Sequence, residues 1–128
     1  MRITLRSLTL AAGLAGAALA AQAAEQPFSQ AAFDKAIAAG RPVVVDFAAS
    51  WCPTCKQQKP IVQGLVDEAK RKPLTVFVAD FDKEAAMKKK LNVTMQSTLI
   101  AFKGGKEVAR STGQTDKAEL GALLDKAL

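Results

Sequence analysis

Val43-Val44-Val45-Asp46-Phe47-Ala48 is a continuous apolar run broken by a single acid. A short, unalternating run of β-branched and aromatic side chains suits a strand covered on both faces, in the interior of a sheet. Such a strand obliges the rest of the chain to supply helices for its two faces. The run begins after Gly40-Arg41-Pro42, a helix-stop signal. It leads through Ala49-Ser50-Trp51 straight into Cys52-Pro53-Thr54-Cys55, which holds both cysteines of the chain.

The segments around this centre alternate in type. Ser29 is a good N-cap, and Phe28 before it can staple onto Phe33, which predicts a helix from about Gln30 to Ala39. Residues 24–28 read as a short polar lead-in. After Cys55 the pattern is helical, with Ile61, Val62, Leu65, Val66 and Ala69 on one stripe. Asp67, Glu68, Lys70 and Arg71 fall off that stripe, and Pro60 should kink the helix by removing a backbone donor. Leu74–Ala79 reads as a second buried strand and Lys83–Leu91 as a short helix. Thr98–Phe102 and Glu107–Arg110 read as a hairpin about Gly104-Gly105. Asp116 and Glu119 have capping-box spacing, opening a last helix with Leu120, Leu123, Leu124 and Ala127 inward. Alternation followed by a hairpin implies one α/β domain with a mixed sheet and helices on both faces. No internal repeat or linker divides it.

The cysteine spacing points to exchange chemistry. A stapling disulfide gains from closing a long loop, and a bridge over two residues constrains little of the unfolded chain. A zinc site needs two further ligands, and the chain has no histidine and no second cysteine pair. Cys52 falls where a strand hands over to a helix, and unpaired N–H groups at a helix start favour a thiolate. That makes Cys52 the attacking thiol. Cys55, one turn on, is expected to be the more buried resolving partner. Pro53 fits a helix start, where its missing N–H costs nothing.

Asp46 is costly to bury unless it is satisfied or protonated. Either it is a buried carboxyl below Cys55, with a raised pKa and able to take the Cys55 proton, or it is an edge-strand acid facing solvent. Trp51 is either core filler or a shield beside the pair that offers a flat surface to an incoming peptide.

At the start, Arg2 and Arg6 precede an uncharged stretch of small and apolar residues ending at Ala21-Gln22-Ala23. Charged start, apolar middle and small-residue exit make residues 1–23 a secretory signal peptide. An uncleaved anchor is the competing reading, but the Ala- and Gly-rich run is weakly hydrophobic for a permanent span. Residues 24–128 are then the mature domain, exported to the periplasm. Removing residues 1–23 leaves 16 basic against 12 acidic side chains, a net charge of +4. The one dense cluster, Lys88-Lys89-Lys90, reads as a solvated helix face, and nucleic acid is not an expected partner.

Val45-Asp46-Phe47-Ala48, Trp51-Cys52-Pro53-Thr54-Cys55-Lys56 and Pro60 together resemble the active-site segment of the thioredoxin family. Phe33-Asp34, Phe102-Lys103-Gly104-Gly105 and Gly113 follow the family's order, so the resemblance runs from about Phe33 to the C-terminus. Ala39-Gly40-Arg41-Pro42 is also similar to the lead-in of the periplasmic C-terminal domain of DsbD-type reductases. The resemblance implies a thioredoxin fold with four or five strands, the first not being evident before Ser29. It implies a redox-active Cys52–Cys55 disulfide with no other cofactor or metal, and Asp46 as a buried proton acceptor. Protein substrates would lie between Trp51, Pro53 and Thr54 on one side and the backbone of Gln96, Ser97 and Thr98 on the other. The family carries a cis-proline just before the strand that begins at Thr98, and here that residue is Ser97. The loop is therefore either trans and reshaped, or strained and held by its surroundings.

The expected function is a monomeric thiol–disulfide oxidoreductase acting on protein thiols and disulfides. A reductant fed by a membrane or periplasmic electron donor is preferred over an oxidant. Two alternatives stand beside it: a non-catalytic binding module on the same fold, and a dimer bridged by a metal or iron–sulfur cluster through four thiolates, since loss of the proline ring opens the thiolates to metal.

Overall fold

The computed structural model describes residues 24–128, and the expected signal peptide lies outside the described residues. The elements in chain order are β1 (Ala24–Pro27), α1 (Gln30–Ala38), β2 (Val43–Ala48), α2 (Pro53–Val66), a 3-10 turn (Ala69–Arg71) and β3 (Thr75–Asp80), then α3 (Ala85–Lys90), β4 (Thr98–Lys103), β5 (Lys106–Thr112) and α4 (Lys117–Lys126). Five strands form one sheet in the order β1-β3-β2-β4-β5. β2 is its central strand, parallel to β3 and antiparallel to β4, which explains an apolar run interrupted only by Asp46.

The reading of residues 24–28 as a lead-in is corrected. Ala24–Pro27 pairs in parallel with β3 as a fifth, edge strand. An edge strand needs hydrogen bonds on one side only, so Glu25-Gln26-Pro27 can serve without the apolar pattern of an interior strand.

The two faces of the sheet carry separate cores. Val44, Val76, Leu99 and Ala101 pack with α2 and α4, through Val62, Leu65, Leu120 and Leu124. Val43, Val45, Phe47, Phe77 and Ile100 pack on the other face with Phe33 of α1 and Met87 of α3. Burying a large aliphatic side chain contributes about 1.5–3 kcal/mol, so these layers supply most of the drive to fold.

Local signals act as expected at several ends. The Ser29 side chain accepts the N–H of Ala32, and the rings of Phe28 and Phe33 lie 5.8 Å apart. Asp116 accepts the N–H of Glu119 at 2.9 Å. Gly104 and Gly105 take φ of 57° and 79°, the left-handed pair that a two-residue hairpin turn requires. One boundary differs by two residues: α3 starts at Ala85, because Asp80 Oδ1 accepts the N–H groups of Asp82 and Lys83 and holds them in a turn.

The inward stripe of α2 also needs correction. Ala69 is outside the helix and exposed, while Gln58 and, beyond the helix, Arg71 are buried. Arg71 is a hub: it donates to the carboxylates of Asp125 and Glu68 and to the Leu65 carbonyl, tying the 3-10 turn to α2 and α4. Burial opposes ionisation of Asp125, but the hydrogen bonds and charges of Arg71 and Lys70 together outweigh it and hold the carboxyl below the usual carboxylate range.

Candidate active site

The central strand delivers Asp46 and Phe47 to the end of the sheet where α2 begins. Cys52 is the N-cap of α2 and Pro53 its first residue, so the cysteine pair straddles the helix start. Cys52 and Cys55 are joined in a disulfide with their Cα atoms 5.3 Å apart. The Cys52 sulfur accepts the backbone N–H of Cys55 at 3.1 Å, one of the orphan donors of a helix N-terminus. The expectation that Cys55 is the more buried partner does not hold in this oxidised state. Cys52 is 0% and Cys55 7% exposed, because both pack with Ala49 against Ala48 and Phe81.

Trp51 is no core filler. It is 54% exposed, and its indole N–H donates to Asp82 Oδ2 at 2.8 Å, fixing the ring beside the pair. Lys88 stacks its ammonium 3.9 Å from the Phe81 ring centre, and Lys89 and Lys90 are solvated. Pro53 and Thr54 lie on the first turn of α2 with Pro53 exposed.

Asp46 is 7% exposed on the central strand, flanked by Val78 and Leu99 in register, which removes the edge-strand alternative. Its Oδ1 has no hydrogen-bond partner. Burial, and secondarily the charge of Glu25, push its pKa up to about 7. A cavity of about 440 Å³ connects it to Cys55 and opens past Glu25, Lys56, Lys59 and Asp80. A carboxyl that titrates near neutrality beside a thiol can exchange a proton with it in either direction.

The loop opposite is trans throughout and reshaped. No cis peptide bond occurs among the described residues, and Ser97 takes a φ of 59°. Two backbone hydrogen bonds and one from a side chain hold it there: Ser97 N–H to Phe47 O at 2.8 Å, Gly113 N–H to Ser97 O at 3.0 Å, and Gln58 Nε2 to Ser97 O at 3.3 Å. The Ser97 hydroxyl donates to the Gln96 carbonyl at 2.6 Å, and that of Thr98 contacts Met95 O and Thr112. Gln96 is half-buried, whereas Ser97 and Thr98 are buried.

Two residues of this site escape sequence reasoning. Gln58, 1% exposed, holds the Ser97 loop and also donates to Gln114 O at 2.8 Å. Its one signal is a glutamine on the apolar stripe of α2. Glu25 lines the cavity from β1, a strand with no sequence signature.

The thioredoxin family model matches residues 25–126. The chain belongs to the thioredoxin family. It is 39% identical over 101 residues to a thioredoxin of Chlamydia trachomatis, a match covering 79% of this chain and 96% of that one. A crystal structure described as Trxlp from Edwardsiella tarda superposes with a TM-score of 0.77 at 40% identity, over 79% of this chain and 98% of that one. The oxidised thioredoxin of Plasmodium falciparum superposes with a TM-score of 0.62 at 30% identity, over 77% and 91%. Membership makes this thioredoxin-family chain a disulfide oxidoreductase whose redox group is its own Cys52–Cys55 disulfide. No group of three or more His, Cys, Asp or Glu side chains among the described residues is placed to hold a metal ion.

Proposed function

We propose that this chain is an exported, monomeric reductant of protein disulfides, with Cys52 as attacking thiolate, Cys55 as resolving thiol and Asp46 as the acceptor of the Cys55 proton. The observation that carries this reading is the buried Asp46, its Oδ1 unpartnered and sharing a cavity with Cys55.

In the reduced state Cys52 attacks one sulfur of a substrate disulfide and releases the other as thiolate. Asp46 takes the proton of Cys55, and the Cys55 sulfur then attacks Cys52. The bond to substrate breaks with its electron pair on the departing sulfur, and the Cys52–Cys55 disulfide remains. Trp51, Pro53 and Thr54 offer the exposed side of the docking surface. From the loop, Gln96 is the accessible contributor, since the backbone of Ser97 is already engaged internally.

Export rests on the charged, apolar and small-residue pattern of residues 1–23, and periplasmic placement with a membrane or periplasmic electron donor follows from it. The DsbD-like segment Ala39–Pro42 has a local explanation: Gly40, at φ 66°, ends α1 and turns the chain into β2. It favours the reductant reading only as a resemblance.

Insulin reduction driven by dithiothreitol tests the activity, with acceleration expected for the wild type, none for Cys52→Ser, and slowing for Asp46→Asn. The direction of electron flow is read from the reduction potential. A value near the thioredoxin end, about −270 mV, supports a reductant, and one near about −120 mV reverses the assignment. N-terminal sequencing of protein from a periplasmic fraction tests export, and a chain retaining residues 1–23 there would refute cleavage.

A further inference from the structure

At the end of the sheet that carries the cysteine pair, the ladder between β2 and β4 stops short of the loop before β4. Phe47 pairs with Thr98, and the Ser97 N–H adds one last bond to the Phe47 carbonyl. Beyond Phe47, β2 has no further partner on the β4 side, and the chain turns through Ala49 to Cys52. The backbone of Met95 and Gln96 therefore runs on past the ladder, at the end of the sheet where the disulfide sits. An extended peptide pairs with such an open edge by giving one hydrogen bond and taking another.

Here the carbonyls of that edge are already taken. Met95 O accepts the Thr98 hydroxyl at 2.8 Å, and Gln96 O accepts the Ser97 hydroxyl at 2.6 Å. Ser97 O accepts the Gly113 N–H and the Gln58 amide. The donors are treated differently. Among the described residues, neither the Met95 nor the Gln96 N–H has a hydrogen-bond partner. Met95 is exposed and Gln96 half-buried, so an incoming peptide can reach both. Thr98 is buried and its hydroxyl also meets that of Thr112, which fixes the Met95 contact. The Gln96 carbonyl is held by the Ser97 hydroxyl alone, a group that a proline in its place does not carry.

We propose that the Ser97 hydroxyl sets the substrate class of this site: it caps the Gln96 carbonyl, so the loop offers a substrate N–H donors but no free acceptor. This rests on the reading that substrates dock against Gln96. An extended protein segment gives one bond to the edge and takes one, and here it forfeits the bond it would give. A small disulfide without peptide backbone has no such bond to lose. The site is thereby biased away from extended protein segments and toward small disulfides. A carbonyl has a second lone pair, so the cap weakens the substrate's bond rather than abolishing it. The bias is therefore of the size of one ordinary hydrogen bond, about twofold to tenfold in rate.

The experiment measures how fast the reduced protein attacks three kinds of disulfide. These are an extended peptide carrying one cysteine in a disulfide, the same peptide with each amide N–H flanking that cysteine replaced in turn by an ester oxygen, and hydroxyethyl disulfide, which has no amide. Ser97→Ala removes the cap and keeps the Cβ. It is expected to gain about twofold to tenfold on the intact peptide relative to hydroxyethyl disulfide, and to lose that gain on one of the esters. Mere damage to the loop lowers rates and does not distinguish amide from ester, so the gain reads the carbonyl itself. Ser97→Gly, which accepts the positive φ freely, should show the same pattern and serves if the alanine variant folds poorly. Two failures are distinguishable. An ester that costs the wild type as much as Ser97→Ala shows the Gln96 carbonyl already free, and overturns the cap while docking at Gln96 stands. Esters that cost neither protein anything remove docking at Gln96, and the cap falls with it.

Discussion

Replacing Asp46 by Asn should make the oxidised protein more stable at pH 8, and the gain should turn into a loss toward pH 4. In the fold, burial holds the Asp46 pKa at about 7, against about 3.9 in an unfolded chain. Between these values the folded state binds a proton that the unfolded state does not, so stability falls as pH rises. The penalty is absent below about pH 4, grows through the window, and is complete above about pH 7. Three pH units at 1.36 kcal/mol each set it at about 4 kcal/mol. Asn removes the titration but leaves a buried amide short of partners, which costs about 1–3 kcal/mol. The net gain at pH 8 is then about 1–3 kcal/mol, or roughly 10 °C in Tm for a domain of this size. Guanidinium unfolding of the oxidised proteins at a series of pH values reads the difference directly. A wild-type-to-variant difference that stays constant from pH 4 to pH 8 would refute the reasoning, because it would mean Asp46 titrates alike in both states.

Cys55→Ser should retain the first attack and stall there, accumulating a covalent adduct with disulfide substrates that non-reducing electrophoresis detects, while Cys52→Ser forms none. Gln58→Leu removes the donor to the Ser97 and Gln114 carbonyls and should destabilise by about 1–3 kcal/mol, with faster amide exchange at Gly113 as the local sign. Gly105→Ala places a Cβ 3.2 Å from the Ile37 carbonyl at a φ of 79°, and a loss of about 1–2 kcal/mol in denaturant unfolding is expected.

What could be read from the residues follows from how far each signal reaches. The β2 run, the Ser29 cap, the Phe28–Phe33 staple and the Gly104-Gly105 turn act over a few positions, and each is placed as expected. β1 was hidden because an edge strand can be built from Glu25-Gln26-Pro27, whose side chains have little β propensity and whose pairing depends on β3 about 50 positions away. Arg71 reads as a surface charge by periodicity. Its burial depends on Asp125, 54 residues on, whose carboxylate and neighbouring carbonyls satisfy the guanidinium. Asp46 was narrowed to two states by sequence and decided only by the strand order, which puts β2 in the middle.

Two oddities in the sequence turn out to explain each other. Serine stands where the family carries a cis-proline, and glutamine stands on the apolar stripe of the helix that carries Cys55. A proline has φ fixed near about −65° and no N–H. Ser97 has a φ of 59° and uses its N–H on the Phe47 carbonyl, one residue beyond Asp46. A left-handed non-glycine residue costs about 1–2 kcal/mol and persists only where its surroundings hold it. Here the Gly113 N–H and the Gln58 amide, both aimed at the Ser97 carbonyl, do so. Gln58 is therefore buried for the loop's sake, and the loop keeps its shape because Gln58 is there. Two polar groups bonded to one another, neither of them tolerable alone, hold this loop in a self-consistent shape without a proline.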